Sequence, residues 1–385
     1  MLSSGKGCTD GISRAFIPTS VKTDINRVYF AMLLVDILVL EGASAASVAI
    51  TFELIAVANG IRARAGRPSC FDVRISGSGA RWATRLARLS SKEVASRPAD
   101  VVIVPGLAWM DEQLIREGLQ RRDAETARKA LQAAFRSGAE IASSCSAVFL
   151  VASAGLLDAR RATTTWWLAP LFRNLFPKVM LDTDAMVLTD GSVTTAGAAM
   201  AQLDLMLSII ARHAGPDLAD SCARFLLLDR RPSQSRYMAL SFLAAADERV
   251  SRAERWARAR LHRTFSISEL AKAVGLGART FARRCERATG LSPVRFVQKL
   301  RIDKAMELLE TTRLSLDEIA ERVGYADPSM LRKLLHRERT PGARASRAGR
   351  KREKSAASSR TSAKRPPAPH RRPPVGAGRK GSKTA

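Results

Sequence analysis

The chain has 385 residues, 46% of them hydrophobic, which is enough for two or three domains with their own cores and too many for a globally disordered protein. Its formal charge of +27 is uneven: basic residues exceed acidic ones by 4 up to Glu248, by 10 from Arg249 to Thr340 and by 13 from Pro341 onward. A surplus placed this way points to a polyanion as partner, and five scattered cysteines without a CxxC pair exclude a disulfide framework and a zinc site in favour of reduced thiols.

Residues 1–25 lack the apolar stretch of a signal peptide and are expected to be disordered. The longest apolar run, Val28 to Leu40, is interrupted by Asp36, is too short for a membrane span and reads as a buried strand, with the first strand placed at Val28 to Leu34. Ser47 to Ile61 has helical periodicity, Phe71 to Gly77 reads as a second strand, and the all-apolar Ala99 to Gly106 reads as a central parallel strand. A helix from Glu125 ends at Gly138, as a C-cap should. Strand residues Ile141 and Ala142, an apolar helix, the segment Gly155 to Trp167, an edge hairpin between Met186 and Gly197 and two closing helices complete the region 26–228. Alternation of this length predicts a three-layer, doubly wound α/β domain with a mostly parallel sheet.

One turn in that domain has chemical potential. Ser143-Ser144-Cys145-Ser146-Ala147 joins a strand directly to a helix, the arrangement of a nucleophile elbow. A helix N-terminus aimed at the thiol would lower its pKa and offer backbone N–H groups to an anion. With Val104 to Gly106, Ala154 to Trp167 and Thr195 to Ile210, this stretch resembles the PfpI/ThiJ family, whose fold is like the glutaminase domain of class I amidotransferases. The resemblance implies a histidine base about twenty residues after the cysteine, where this chain has Thr165, and an acidic residue after the first strand, for which Glu41 is the nearest candidate. The nearest downstream histidine is His213, on a different helix, so the elbow is expected to bind and not to turn over. Glu41, Cys145, Ser146, Thr165 and Trp166 are the candidate effector-binding residues. Trp166 and Trp167 are read as consecutive strand residues, of which one must point inward, and a tryptophan face suits a cationic or quaternary ammonium group.

Residues 229–248 are taken as a linker and 249–343 as a second domain. Here a short helix, a Gly turn and a basic helix occur twice, from Ile267 to Gly290 and from Leu316 to Glu338, roughly fifty residues apart. Leu270 and Ala271, then Ile319 and Ala320, lie on the inner face of each first helix. Phe281 and Cys285, then Leu331 and Leu335, are i,i+4 pairs that hold down each second helix. Ser292 caps a long joining helix with Pro293 in its first turn. The second helices leave bases outward beyond a Gly turn, a pattern suited to the major groove. Residues 250–341 thereby resemble the DNA-binding domain of the AraC/XylS family, with Cys285, Gly277 and Glu338-Arg339-Thr340-Pro341 as local departures. The resemblance places Arg279, Thr280, Arg283, Ser329 and Lys333 at base edges and Arg284 and Arg332 at phosphates.

An amidotransferase-like domain ahead of an AraC-type domain resembles the GlxA family of transcription regulators. This implies double-stranded promoter DNA and a small, often nitrogen-containing, effector as partners, a homodimer, contact with RNA polymerase, and a bacterial cytoplasmic, nucleoid-associated location. No membrane partner, metal or cofactor is expected. A thiol-dependent hydrolase or hydratase with an accessory DNA-binding domain is the alternative. Residues 344–385, rich in Lys, Arg, Ala, Ser, Pro and Gly, are expected to be a disordered phosphate-binding arm or a solubilising extension.

Overall fold

The computed structural model describes residues 32–86, 97–229 and 231–339, with side chains through 336. The first part of the chain runs β1 (Leu33–Leu38), α1 (Ala45–Arg64), β2 (Phe71–Ser76), α2 (Ala80–Leu86), β3 (Val101–Val104), α3 (Glu112–Gln120), α4 (Arg122–Arg136), β4 (Glu140–Ser144) and α5 (Ala147–Ser153). It continues with β5 (Arg161–Ala162), α6 (Ala169–Leu175), β6 (Met180–Leu181), β7 (Val187–Asp190), β8 (Val193–Ala196), α7 (Gln202–Ala214) and α8 (Pro216–Phe225). The sheet order is β2-β1-β3-β4-β8-β7, parallel throughout except for β7 against β8. The edge hairpin expected near Met186 to Gly197 is therefore real, and only its first strand forms the edge.

Each face of the sheet buries a separate core. Leu38, Val102, Val104 and Ile141 pack with Ile115, Leu131 and Phe149 from α3, α4 and α5. Val35, Ile37 and Ile103 pack with Leu54, Ile55, Leu205 and Ile209 from α1 and α7. This is the three-layer, flavodoxin-like arrangement that the alternating elements demand. Helix α1 is long and apolar enough to pass for a membrane span by length and composition, but it lies on the sheet with Val48, Thr51, Leu54, Ile55 and Ala58 buried.

Three local expectations are corrected. The first strand spans Leu33–Leu38, not Val28 to Leu34; residues 28–31 lie outside the described residues. Asp36 does not interrupt it, because Arg74 stands opposite in β2 and pairs with its carboxylate at 2.8 Å. Helix α3, which the sequence reading missed, starts at Asp111, whose side chain accepts the Leu114 N–H at 2.9 Å. Trp166 and Trp167 are not strand residues: Trp166–Leu168 is a 3-10 turn leading into α6.

The second part is all helical: α9 (Leu240–Ala244), α10 (Glu248–Arg258), α11 (Ile267–Ala273), α12 (Ala278–Thr289), α13 (Pro293–Thr311), α14 (Leu316–Arg322) and α15 (Pro328–Arg339). One core joins Leu243, Val250, Ala253, Leu270, Phe281, Cys285, Phe296 and Leu300. A second joins Ile302, Ala305, Ile319, Ala320, Val323, Leu331 and Leu335. Helix α13 thus serves one core with its first half and the other with its second. The expected linker is no bare tether, since Met238, Leu240, Leu243 and Ala244 belong to the first of these cores.

Candidate functional site

The two helix-turn-helix units are built from the same local devices. Ser266 caps α11 and Ser315 caps α14, and Glu269 and Glu318 return their carboxylates to the cap N–H at 2.7 and 2.8 Å, closing two capping boxes. The turns reverse at Gly275 (φ 71°) and Gly324 (φ 76°), in the left-handed region that favours glycine. A guanidinium braces each turn: Arg249 donates to the Val274 carbonyl at 2.9 Å and Arg301 to the Gly324 carbonyl at 2.8 Å.

On α12, Arg279, Thr280 and Arg283 are exposed opposite the buried Phe281 and Cys285; on α15, Arg332, Lys333 and His336 are exposed opposite Leu331, Leu334 and Leu335. Among the described residues, Arg279, Arg283, Arg332 and Lys333 make no ion pair. They are cations held on rigid helices without a direct ion pair, although Asp327 feels the charge of Lys333 and Arg332, and this suits them to phosphates and base edges.

Two of the expected DNA contacts have other duties here. Arg284 turns inward and ion-pairs at 2.9 Å with Asp247, the buried N-cap of α10, with its Nε–H off the hydrogen-bond line. Burial works against the Asp247 charge, but Arg284 and the backbone N–H groups of Val250 and Arg249 outweigh it and hold the carboxyl below its ordinary range. Arg284 therefore locks α12 to α10 and is not free for a phosphate. Ser329 is half-buried and commits its hydroxyl to Asp327 at 2.5 Å, at the start of α15. The Glu338 to Pro341 departure and the basic tail lie outside the described side chains.

The elbow forms as expected. Cys145 has φ 55°, a left-handed conformation that costs a non-glycine residue roughly 1–2 kcal/mol and persists where the surroundings hold it. They do so here. The Cys145 N–H reaches the Gly197 carbonyl at 2.6 Å, Thr164 Oγ1 donates to the Cys145 carbonyl at 2.8 Å, and Ser146 Oγ donates to the Leu107 carbonyl at 2.6 Å. Ser144 donates to Gln202 at 2.6 Å, and Gln202 donates onward to Thr51 at 2.8 Å. A Cβ on Gly106 would stand 3.1 Å from both the Cys145 Cβ and Ser47 Oγ, so any larger residue would have to push the loop after β3 back from the elbow by a few tenths of an ångström.

The chemistry of the elbow differs from the expectation in three respects. Burial pushes the Cys145 thiol up, against the smaller opposing influence of the Ser146 and Ala199 N–H groups and the Ser146 hydroxyl. The expected depression by a helix N-terminus loses because Cys145 is 4% exposed and α5 has only seven residues. Glu41 is exposed and its carboxylate is engaged by Arg121 at 3.3 Å. Trp166 packs edge-on against Trp167 and Phe242 and joins the core of the first helix-turn-helix unit, so its side chain is engaged there. His213 pairs with Glu140, at the far end of β4, at 2.9 Å. Thr165 is fully buried, and its hydroxyl has no partner; the same holds for Ser47 and Ser143. Ser47, at a position where the family resemblance implies Asp in many relatives, was not among the effector-binding candidates, although the glycine at 106 was a signal of close approach.

Comparison with known proteins agrees with both halves. Residues 35–212 match the DJ-1/PfpI family, and residues 270–340 match a helix-turn-helix domain. The transcriptional regulator GbdR of Pseudomonas aeruginosa is 26% identical over 229 residues, covering 59% of this chain and 60% of GbdR. GlxA of Rhizobium meliloti is 28% identical over 242 residues, covering 59% of this chain and 71% of GlxA. ArgR of Pseudomonas aeruginosa is 28% identical over 233 residues, covering 58% and 70%. All three are named as HTH-type transcriptional regulators, and the match spans about 60% of the length of GbdR. The chain thus combines a DJ-1/PfpI family domain with an AraC-type helix-turn-helix domain.

Proposed function

We propose that the protein is a sequence-specific transcription regulator that binds double-stranded promoter DNA, acts as a homodimer in the bacterial cytoplasm at the nucleoid, and is controlled by a small effector held at the Cys145 elbow. The observation that carries this reading is the twofold occurrence of one capped helix-turn-helix unit, each presenting bases without a direct ion pair on its second helix. Arg279, Thr280 and Arg283 read one part of the site and Lys333, with Arg332 at the backbone, reads the other. RNA polymerase is the further partner such a regulator addresses. Residues 344–385 add phosphate neutralisation without discrimination, so their deletion weakens binding to all sequences alike and flattens its salt dependence.

The effector reading rests on the elbow lining. Ser47 Oγ, which shares the close approach of Gly106 with Cys145, and Thr165 Oγ1, next in sequence to the Thr164 that holds the Cys145 carbonyl, are buried hydroxyls without partners. Unpaired buried groups of this kind cost roughly 1–3 kcal/mol each, which a hydrogen-bonding ligand recovers. The lining suits a small polar molecule held without turnover: burial keeps the thiol protonated, and Thr165 has no basic nitrogen to offer.

The test is selection of duplexes from a random-sequence pool by the full-length protein, followed by footprinting. The expected result is a recovered motif with two adjacent protected segments per protomer and a preference of at least about 10³ over random DNA. Equal affinity for every duplex, with no footprint, defeats the proposal in favour of an architectural DNA-coating role. One observation favours a second reading, a thiol hydrolase or hydratase: the strained backbone at Cys145. Turnover of an amide, isonitrile or aldehyde that disappears in Cys145→Ser would establish it.

A further inference from the structure

A single glutamine in the connector touches both sides of the elbow. Gln234 is 1% exposed. Its Nε2 donates to Thr163 Oγ1 at 3.0 Å and to the Thr164 carbonyl at 2.9 Å, with the Ala185 carbonyl at 3.3 Å. Thr164 is the residue whose hydroxyl holds the Cys145 carbonyl. On the other side, Gln234 Oε1 lies so close to Gly197 that a Cβ there would collide with it, and the Gly197 carbonyl accepts the Cys145 N–H. The two peptide groups that flank the Cys145 side chain are thus each one residue removed from the same amide.

The other end of this residue leads to the DNA-binding part. The Gln234 N–H donates to the Asp184 carbonyl at 3.0 Å, and the Asp184 carboxylate pairs with Arg295 of α13 at 3.1 Å. From Gln234 the chain passes through the Ser235–Tyr237 turn to Met238, Leu240 and Leu243, all in the core that supports α11 and α12. The Thr163 to Thr165 segment after β5 also continues directly into the Trp166–Leu168 turn and α6. There the largely desolvated Arg173 lies against Gly290, the left-handed C-cap of α12.

We propose that Gln234 is the positioning residue that couples the state of the Cys145 elbow to the placement of the first recognition helix, a coupling that rests on the DNA-binding reading above. The physical reason is that its amide nitrogen bonds Thr163 and Thr164 while its oxygen packs against Gly197 in a tight interior, so a shift of the Cys145 peptide displaces Thr164 or Gly197 and with them the connector. Coupling of this kind is reciprocal: if the elbow biases the helix, DNA on the helix biases opening of the elbow.

The reciprocal direction can be measured without knowing the effector. Iodoacetamide alkylation of Cys145, mapped by mass spectrometry in the full-length protein, reports how often the buried thiol opens. The measurement is made with and without a saturating duplex recovered from the random pool. In the unmodified protein the duplex is expected to change the Cys145 rate by at least about fivefold, the low end of ordinary allosteric coupling, with Cys70 and Cys222 unchanged. In Gln234→Leu, and independently in Thr164→Val, the duplex still binds but the change shrinks to within about twofold. A merely structural role predicts something else: faster alkylation of all buried thiols alike, with the DNA-dependent ratio intact. That outcome, or a Cys145 rate indifferent to bound duplex in the unmodified protein, overturns the coupling alone. A pool that yields no bound duplex defeats the DNA-binding reading and the coupling with it.

Discussion

The two helix-turn-helix units share their caps, their glycine turns and their inner residues, but the rest of the molecule holds them differently. The first is enclosed: α9 and α10 pack on it, Arg284 ties α12 to Asp247, and Arg173 of the α/β domain abuts its C-cap at Gly290. The second has its own smaller core and is joined to the first through α13, with Arg301 reaching from that helix to the Gly324 carbonyl and to the Arg263 carbonyl. Arg301 also lies over the rings of Phe265 and Tyr325, one from each unit. A local unit written twice in sequence is therefore braced once by the α/β domain and once by a single hinge of contacts. Under the proposed function the difference separates them: the α/β domain would act on the first unit, and the second would meet DNA from a position set by α13.

The sharpest way to break this comparison is at the glycines. A Cβ at Gly324 would run into the Leu261 carbonyl, which is backbone of the first unit, whereas one at Gly275 would meet only the end of the Arg249 side chain. Gly324→Ala should cost about 2–4 kcal/mol, left-handed strain plus a collision that cannot relax, and Gly275→Ala about 1 kcal/mol. Urea unfolding of the two variants measures this, and equal losses would show that the second turn does not bear on the first unit.

The next effect separates neighbouring arginines. Arg283→Ala should weaken binding to the selected duplex by about 1–3 kcal/mol and relax preference in one part of the site. Arg284→Ala should leave that preference unchanged and lower thermal stability instead, because its partner is Asp247. Quantitative gel shifts on both variants decide it; equal losses of discrimination would return Arg284 to the DNA interface.

Asp247 itself sharpens the point. Its replacement by Ala removes the α10 cap and strands Arg284, for an expected loss of about 1–2 kcal/mol at neutral pH. Because the folded carboxyl titrates below its ordinary value, its contribution is complete above the unfolded pKa of about 4 and fades as pH falls through the depressed folded value. The stability gap between Asp247→Asn and the unmodified protein should therefore shrink only in acid; a gap that closes between pH 6 and 8 would contradict this origin.

The smallest effect is expected at the elbow thiol. Cys145→Ser exchanges one atom at a buried turn held by hydrogen bonds that do not involve the thiol, so unfolding free energy should shift by no more than about 1 kcal/mol and DNA binding should persist. Loss of folding or of DNA binding in this variant would give the thiol a weight that its neighbours do not suggest.

Much of this protein is legible along the chain because the devices involved are local. A capping box spans four residues, as Ser266 with Glu269 and Ser315 with Glu318 show, and a glycine turn or a strand–Cys–helix elbow needs only its immediate neighbours. The alternation of strands and helices sets the layer order for the same reason, since each element must bury one face. What only the tertiary structure decided are pairings that cross the chain: Arg74 neutralising Asp36, Arg121 drawing Glu41 from the elbow, Arg284 meeting Asp247 and Gln234 reaching Thr163 and Thr164. A side chain's charge and length are written in sequence, but the partner that satisfies it lies wherever folding brings an opposite group within about 3 Å, and desolvation then fixes both in place. For that reason the type of each unit could be read from the residues, while the free or engaged state of each arginine, and the raised rather than lowered thiol, could not.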